Sequence, residues 1–554
     1  MKYHSATSDS QQKQSDINAN QTVSSCLFNC GQASPIQTSD NNARDMIVTS
    51  KGSKTAERNE GHDILPNETT SLLDGDTPFT YGVADHMHRS PTWREEFKVL
   101  LKSSGPLIIT FVLQYSLPIA SIATVGRIGK IEMGAASLAS MSASITGYVV
   151  YTGLASSLDT LCSQAYGAGR FHLVGLHFQR MLCFLSIVTL PIAALWFLAT
   201  RILLAIVPAE EEETARLAGH YLRILVIGTP AYATFEAGKR YLQAQSLFNA
   251  TMYILLVCAP LNALMHYLFV WRLWGFVGAP VAVVVTHNLM AILLILYIRF
   301  SDGYQCWGGF DRSAFSNWMP MIKLAVPGLI MLLAEFLAYE VLTLSASRLG
   351  STSLAAQSVL ASITTIMFQV PFSMSVAAST RIGILVGARK LSNAMFTAKV
   401  TTAYAAFVGL FNFLFMVVLK GYIPRVFTHD QDVVNLVSNI LPLCAVYQVL
   451  DAWACHCNGI LRATGRQKIG GIVGLFAYYI VGLPISIGTG FSAGWGIFGL
   501  WTVSNSLDLN RCELILVQGI AISLGFVFVL ESILIYRISW TKVLKEADKR
   551  NCIG

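Results

Sequence analysis

Long apolar runs alternate with short polar breaks from about residue 100 almost to the end of the chain. Many runs reach the roughly 20 residues that a helix needs to cross a bilayer. Charged or Gly/Pro-rich breaks divide them into twelve candidate spans, at 103–125, 135–157, 181–205, 215–237, 249–271, 277–299, 320–345, 354–376, 396–418, 433–456, 470–489 and 515–537. The pattern predicts an all-α membrane protein with twelve transmembrane helices.

Composition supports this prediction. The 554 residues are 53% hydrophobic and 13% charged, with a mean hydropathy of +0.51, whereas a soluble protein carries about twice that charged fraction. The net charge of +7 therefore bears on topology and does not indicate nucleic-acid binding. The eleven cysteines are scattered, mostly within apolar runs, and suggest no disulfide framework.

Residues 1–97 form a polar N-terminal segment that we expect to be a disordered cytoplasmic tail, because it has too little apolar surface to offset the entropy of ordering. Within it, Glu68, Leu72 and Leu73 match the acidic dileucine sorting signal, which resembles addresses read by vacuolar or lysosomal adaptors. The pattern is short enough to arise by chance. A sorting adaptor is thus one candidate partner of the tail.

Basic residues are concentrated in the loops on one side of the predicted bundle. The positive-inside rule places such loops in the cytoplasm. Both termini, including the tail 541–554, are therefore predicted to be cytoplasmic. The residues that carry this prediction are Arg170, Arg180, Lys239, Arg240, Arg299, Arg312, Lys323, Arg389, Lys390, Arg462, Arg466 and Lys468.

The two halves of the membrane region resemble each other at an offset of about 220 residues. VGRIG at 125–129 matches ASRLG at 346–350, and YGAGR at 166–170 matches VGARK at 386–390. Each half contains six spans, so the repeat predicts two six-helix bundles, 98–310 and 311–540. A repeat of this kind is typical of transporters, in which two bundles rock around a central site.

Two glutamates lie in the middle of the seventh span. Charged groups at this depth are costly and usually face a cavity or an ion path. Tyr339 is one helical turn from Glu335 and can donate to its carboxylate, whereas Glu340 is about 140° away around the helix and bonds a neighbouring helix in the simpler interpretation. The counterpart of Glu335 in the first repeat is Gln114, so ionisable chemistry is predicted mainly in the second half.

Five collinear motifs resemble the multidrug and toxic compound extrusion (MATE) family, in its eukaryotic branch. They are PLIITFVLQYSLPIASIATVGRIGKIEMGAASLA (106–139), LDTLCSQAYGAG (158–169), SLAAQSVL (353–360), VPFSMSVAASTRIGILVGA (370–388) and NGILRATGRQKIG (458–470), together with EFLAYE (335–340) in the seventh span. The resemblance extends from about residue 98 to 540. It implies a secondary active transporter that exports organic, mainly cationic compounds in exchange for protons by alternating access.

The resemblance also implies roles for individual residues. Glu335 matches the leading proton- and substrate-coupling glutamate, Glu340 matches its supporting acid, and Asp451 matches a carboxylate on the tenth helix. Two positions depart from the family patterns. Ser362 stands where some animal members have a fourth carboxylate, and Gln114 stands where prokaryotic members have an aspartate. A proton gradient would supply the energy, without a cofactor or a metal, although sodium coupling remains an alternative.

Other polar positions in the spans have simpler interpretations. Gln114 and Asn262 either line the cavity or form interhelical hydrogen bonds, and His266 and His287 are expected to serve packing. Cys455, His456 and Cys457 are adjacent and cannot close a tetrahedral zinc site.

Several functional alternatives remain open. A dedicated metabolite exporter or a lipid flippase would use the same architecture, whereas no HExxH, GxSxG or paired aspartate motif within the predicted spans indicates an enzyme. The lipid bilayer, small organic substrates and a monomeric state are expected, in either the vacuolar or the plasma membrane. Residues 502–519 are an enlarged loop or extra codons.

Overall fold

Twelve helical spans follow one another in the computed structural model, which describes residues 92–206, 211–347, 351–428, 430–488 and 519–553. The spans of the first repeat are α1 (Trp93–Val125), α2 (Lys130–Gly167), α3 (Phe171–Phe197), α4 (212–244), α5 (Phe248–Leu268) and α6 (Gly278–Phe300). Those of the second are α7 (Met319–Ser347), α8 (Ser351–Gly387), α9 (Leu391–Val418), α10 (Gln431–Thr464), α11 (Gln467–Ile487) and α12 (Gly519–Tyr536). The all-α fold with twelve spans is confirmed.

The length and hydropathy of these helices fit a membrane protein. In the described part of the chain, nine stretches are long and apolar enough to cross a bilayer, and one of them, Phe248–Phe300, contains both α5 and α6. The helix α12 meets the same test together with α13 (Trp540–Ile553), from which it is bent by 84°. Only α4 is more polar, because it carries Glu236, Lys239 and Arg240 within its length.

Several helices extend beyond the apolar windows of the sequence. The first begins at Trp93 instead of 103, where the side chains of Thr92 and Glu95 cap its first turn. The buried Glu96 then forms an ion pair of 3.0 Å with Arg381 of α8. Polar residues near the ends of this helix therefore belong to the helix and form hydrogen bonds or ion pairs, whereas the hydropathy pattern assigns them to a loop.

Three basic residues that the sequence analysis placed in loops lie within helices in the structure. Lys239 and Arg240 lie inside α4 and Arg462 lies inside α10, and all three are buried. They are not free loop charges, so they do not contribute to the charge asymmetry that predicts topology. The predicted spans 215–237 and 433–456 end too early because a hydropathy pattern cannot show that a charge is paired.

Two large hydrophobic cores fill the bundle, one mainly in the first repeat but including the start of α7, and the other in the second repeat. One core runs from Leu117 to Ala325 and the other from Ala334 to Val527. The repeats meet where α1 packs on α8 and where α2 packs on α7 and α8. The interface is thus built mainly from the first two helices of each repeat, with smaller contacts of α9 on α1 and of α10 on α2.

A reciprocal glycine contact joins α2 to α8 at the face of the bundle that carries Trp93 and Ile553, named the terminal face below. A Cβ atom on Gly167 would overlap the carbonyl group of Ile384, and one on Gly387 would overlap the carbonyl group of Gln164. Both contacts relate the two repeats at an offset of 220 residues. Only glycine lets the two backbones approach this closely.

The variant Gly167→Ala should therefore lower stability by about 1–3 kcal/mol, the usual effect of an overpacked contact. Thermal unfolding in detergent measures this loss. Gly105→Ala in α1 is the matched control, because no atom lies within 4 Å of the added Cβ there. Equal melting temperatures for the two variants would contradict the close approach of α2 and α8.

Candidate functional site

Two acidic side chains from different helices of the second repeat lie together inside the bundle. Asp451 of α10 is 1% exposed, and its Oδ2 atom has no hydrogen-bond partner among the described residues. Glu335 of α7 is partly exposed and close enough to Asp451 for their charges to interact. The structure therefore brings together two of the three predicted proton- and substrate-binding acids.

Tyrosines surround this pair of acids. Tyr339 lies close to both carboxyl groups and contacts the ring of Tyr447 edge-on, with 6.3 Å between centroids. Tyr478 of α11 is also close to both acids. It lies in a π-helical turn, Phe476–Gly482, of a kind that is frequent at functional sites. The sequence analysis identified Tyr339 but missed Tyr478, because a π-helical turn leaves no clear signal in the sequence.

One basic residue, Arg462 of α10, lies close enough to Glu335 to interact with it, and it also has partners elsewhere. Its charge interacts with that of Glu335. Its Nη2 atom donates to Ser375 Oγ at 2.7 Å, and its Nε atom lies 3.7 Å from Asp159 Oδ2 in the first repeat. The guanidinium therefore cannot serve as a dedicated counter-ion for the acids of the second repeat.

The first repeat contains a buried charge group that the sequence analysis did not identify. Glu236 Oε1 accepts from Lys239 Nζ at 2.7 Å and from Gln114 Nε2 at 2.8 Å. Lys239 Nζ also donates to Gln114 Oε1 at 3.0 Å and lies 4.8 Å from the ring centroid of Phe111. The amide of Gln114 thus forms interhelical hydrogen bonds to α4, which was one of its two interpretations.

A second ion pair lies beside this group. Arg240 Nη1 donates to both carboxylate oxygens of Asp159, at 2.7 and 2.8 Å, and both side chains are almost fully buried. The spacing of Glu236, Lys239 and Arg240 on one helix was a visible signal. The expectation that ionisable residues inside the bundle lie mainly in the second half was therefore wrong, because the first half buries two ion pairs. The acids of the second half differ in having no fixed basic partner among the described residues.

The remaining candidates lie apart from the acids of the second repeat. Glu340 is partly exposed and forms no ion pair with a described residue. Asn262 is buried and joins helices, because its Oδ1 accepts from Thr286 Oγ1 at 2.8 Å and its Nδ2 donates to the carbonyl of Leu117 at 3.4 Å. His266 Nδ1 donates to the backbone carbonyl of Asn262 at 2.8 Å. A direct role of Glu340 and Asn262 at the site stays a prediction.

A third buried acid in the second repeat, Glu531 of α12, was missed by the sequence analysis. Its signal was as visible as that of Glu335, since it is a lone acid inside an apolar helix. The predicted sorting residues Glu68, Leu72 and Leu73, and most of the loop 502–519, lie outside the described residues. Within the described residues, no group of three or more His, Cys, Asp and Glu is arranged to hold a metal ion.

Comparison with known proteins identifies the family. The MatE family model matches the chain twice, over residues 106–268 and 327–487, with one segment inside each predicted repeat. The chain belongs to the MatE family. It is therefore a multi-pass membrane transporter of the efflux type and not an enzyme.

Individual MatE relatives cover most of the chain. An uncharacterized transporter of Schizosaccharomyces pombe is 40% identical, with 74% of this chain and 77% of the relative aligned. Multidrug and toxin extrusion protein 1 of Homo sapiens is 34% identical, with 75% and 73% aligned. The crystal structure of the eukaryotic MATE transporter AtDTX14 superposes with a TM-score of 0.76 at 26% identity, covering 83% of this chain and 99% of that one. The fold is that of a eukaryotic MATE transporter.

Proposed function

We propose that this MatE protein exports organic cations in exchange for protons by alternating access. Glu335 and Asp451 are the exchanging acids, and Glu340 is a supporting acid on the same helix as Glu335. The observation that carries the proposal is the difference in charge pairing between the two repeats. Similarity to a human multidrug and toxin extrusion protein supports the substrate class.

Among the described residues of the first repeat, each buried acid has a fixed basic partner. Lys239 neutralises Glu236 and Arg240 neutralises Asp159, at distances of 2.7 Å in both cases. A tethered ammonium or guanidinium cannot leave its acid during a transport cycle. These pairs therefore hold the bundle together and are unsuited to exchanging one cation for another.

In the described part of the second repeat, Glu335 and Asp451 form no ion pair of this kind. Among the described residues, Arg462 is near Glu335 but is also held by Asp159 and Ser375. Several kcal/mol oppose each unpaired ion in a poorly solvated site, so each acid binds either a proton or an external cation. Competition between the two for one site is the thermodynamic requirement for antiport.

The organic cation and the proton then use the same acids in turn. With the site open to the proton-rich side, the acids are protonated and the cation leaves. With the site open to the proton-poor side, the proton leaves and the ionised acids attract the next cation. The tyrosines Tyr339 and Tyr478 offer aromatic faces and hydroxyl groups to a bulky cation. The bundles 98–310 and 311–540 would rock against each other around this site.

We further propose that the terminal face is cytoplasmic, with the tails 1–97 and 541–554 on that side. The cytoplasmic orientation follows the exposed basic residues on this side, among them Arg389 and Lys468. Organic cations would then move from the cytoplasm into a vacuole or out of the cell. The sorting pattern at Glu68, Leu72 and Leu73 favours the vacuolar membrane and an adaptor as a partner of the tail.

The test uses the full chain in liposomes with an acidic interior and a neutral exterior. Radiolabelled tetraethylammonium should accumulate inside, and a K⁺/H⁺ ionophore that dissipates the gradient should abolish accumulation. Uptake driven by a sodium gradient but not by a proton gradient would overturn proton coupling. If neither gradient drives uptake of several organic cations, the substrate class is wrong, and a dedicated metabolite or a lipid becomes the cargo to test.

A further inference from the structure

The carboxyl group of Glu531 lies in the packed interior of the second repeat. The buried face of α12 includes Leu524 and Val527, which are 1% and 3% exposed, and Glu531 continues the same stripe at 1% exposure. Residues at i, i+3 and i+7 share one helix face. An aliphatic side chain is expected at this position in a helix that only packs.

Contacts with α10 fix the position of α12 around this acid. The rings of Trp453 and Phe528 stack with 4.8 Å between their centroids. One turn further along, Cys457 Sγ lies 3.6 Å from Ser532 Oγ. Because both contacts flank Glu531 on its own helix, its inward direction is set by packing and not by a flexible side chain.

The two carboxyl oxygens of Glu531 are buried, and neither has a hydrogen-bond partner in the part of the chain that the structure describes. A buried ionised carboxylate without a partner is strongly disfavoured, whereas a neutral carboxyl group or a cation-bound one is tolerated. Packing alone does not explain an acid here, because a glutamine or a leucine would fill the same space without that cost.

The charged and titratable groups around Glu531 come from several helices. Its charge interacts with those of Glu335 on α7 and Arg462 on α10. The thiols of Cys455 and Cys457 on α10 also face it. The titratable residues of the other helix packed against α12, α11, are Tyr478, Tyr479 and Lys468, and Lys468 is exposed. Glu531 is therefore electrostatically linked to the proposed exchange site while remaining more enclosed than Glu335.

We propose that Glu531 is an additional proton-exchanging carboxyl group of the transport site, so that more than one proton moves for each organic cation. The partly exposed Glu335 meets the cation, and the enclosed Glu531 takes up and releases a proton as the charge on Glu335 changes. No bond other than that to the exchanged proton forms or breaks. The inference rests on the proposed proton antiport.

The steady-state accumulation ratio of tetraethylammonium in liposomes tests this proposal, with the membrane potential clamped at zero. Each exchanged proton multiplies the limiting ratio by about ten for a gradient of about one pH unit. Glu531→Gln should therefore lower the limiting ratio about tenfold per pH unit of gradient, relative to the wild type. A residue that only positions a helix would change the initial rate and leave this ratio unaltered.

Two variants separate protonation from packing. Glu531→Asp retains a carboxyl group and should keep the wild-type limiting ratio at a reduced rate. Ser532→Ala, one residue away on the same helix, loosens the contact with Cys457 but keeps the carboxyl group of Glu531, and it should therefore keep the wild-type limiting ratio. An unchanged ratio in Glu531→Gln, or an equal fall in the Asp and Gln variants, would overturn the role of Glu531.

A measurement on the wild type alone keeps the proposal testable if the variants fail to fold. The logarithm of the limiting ratio, plotted against the pH gradient, should have a slope greater than one. A slope of one would overturn the additional proton while leaving proton antiport intact. Absence of any dependence on the pH gradient would instead overturn the proposed function itself, so the two failures are distinguishable.

Discussion

Replacing Glu335 by glutamine is expected to abolish uptake driven by a pH gradient and to leave the protein folded. Glutamine has nearly the same shape but cannot exchange a proton. Since the position is partly exposed and Arg462 keeps its contacts with Asp159 and Ser375, no buried guanidinium is left without a partner. Uptake of tetraethylammonium into acid-loaded liposomes should fall at least about tenfold, to the level of protein-free liposomes, at a gradient of about one pH unit.

Glu340→Gln supplies the matched control for this result. It makes the same chemical change five residues further along α7, at a partly exposed side chain that forms no ion pair with a described residue. We expect reduced rates in this variant but retained gradient-driven accumulation. Equal losses in both variants would divide the coupling role between the two glutamates. Full accumulation in Glu335→Gln would move that role to Asp451.

The acids of the second repeat could be found from the sequence because a charged residue inside an apolar run stands out without any knowledge of its neighbours. Glu335 and its position in the seventh helix follow from this signal, and the family motif adds Asp451. Glu531 gives the same signal of a lone acid inside an apolar run, but none of the family motifs in this sequence includes it. What could not be read from the sequence is which acids face one another, since α7, α10 and α12 come together only in the fold.

Most of the ion pairs between different helices could not be predicted from the sequence either. Glu236 and Lys239 are three residues apart on one helix, so their contact was predictable in principle. In contrast, Asp159 and Arg462 are separated by about 300 residues and meet only because α2 and α10 converge near the terminal face. Hydropathy therefore gave the number and order of the helices. It misplaced the helix ends wherever polar residues that are distant in sequence form ion pairs or hydrogen bonds with one another.

The substitution Asp159→Ala is expected to cause the largest loss of stability in the protein. Asp159 is buried, binds Arg240 Nη1 through both oxygens at 2.7 and 2.8 Å, and lies 3.7 Å from Arg462 Nε. Removing it leaves two guanidinium groups buried without their shared acid. Loss of one partner from a buried ion pair costs about 3–5 kcal/mol in proteins. Thermal unfolding in detergent, followed by the loss of monodisperse protein, measures the effect.

The exposed ion pair of Arg389 and Asp548, at 3.2 Å, provides the control. Asp548→Ala should cost no more than about 1 kcal/mol, because solvent screens this pair. Arg240→Met added to Asp159→Ala should restore part of the lost stability, since one uncompensated guanidinium is removed with it. A loss in Asp159→Ala no larger than that in Asp548→Ala would contradict the buried pairing.

Two arginines contact Asp159, one from its own repeat and one from the other repeat. Replacing each in turn shows whether the contact within the repeat or the contact between repeats contributes more to stability. Arg240 belongs to the same repeat as Asp159 and is in direct contact with it, whereas Arg462 belongs to the other repeat and is about 1 Å further away. Because the shorter, charge-assisted hydrogen bonds of Arg240 are the stronger contact, Arg240→Met should destabilise the protein more than Arg462→Met. The reverse order would show that the contact between repeats dominates, and that Asp159 acts mainly by holding the terminal face closed.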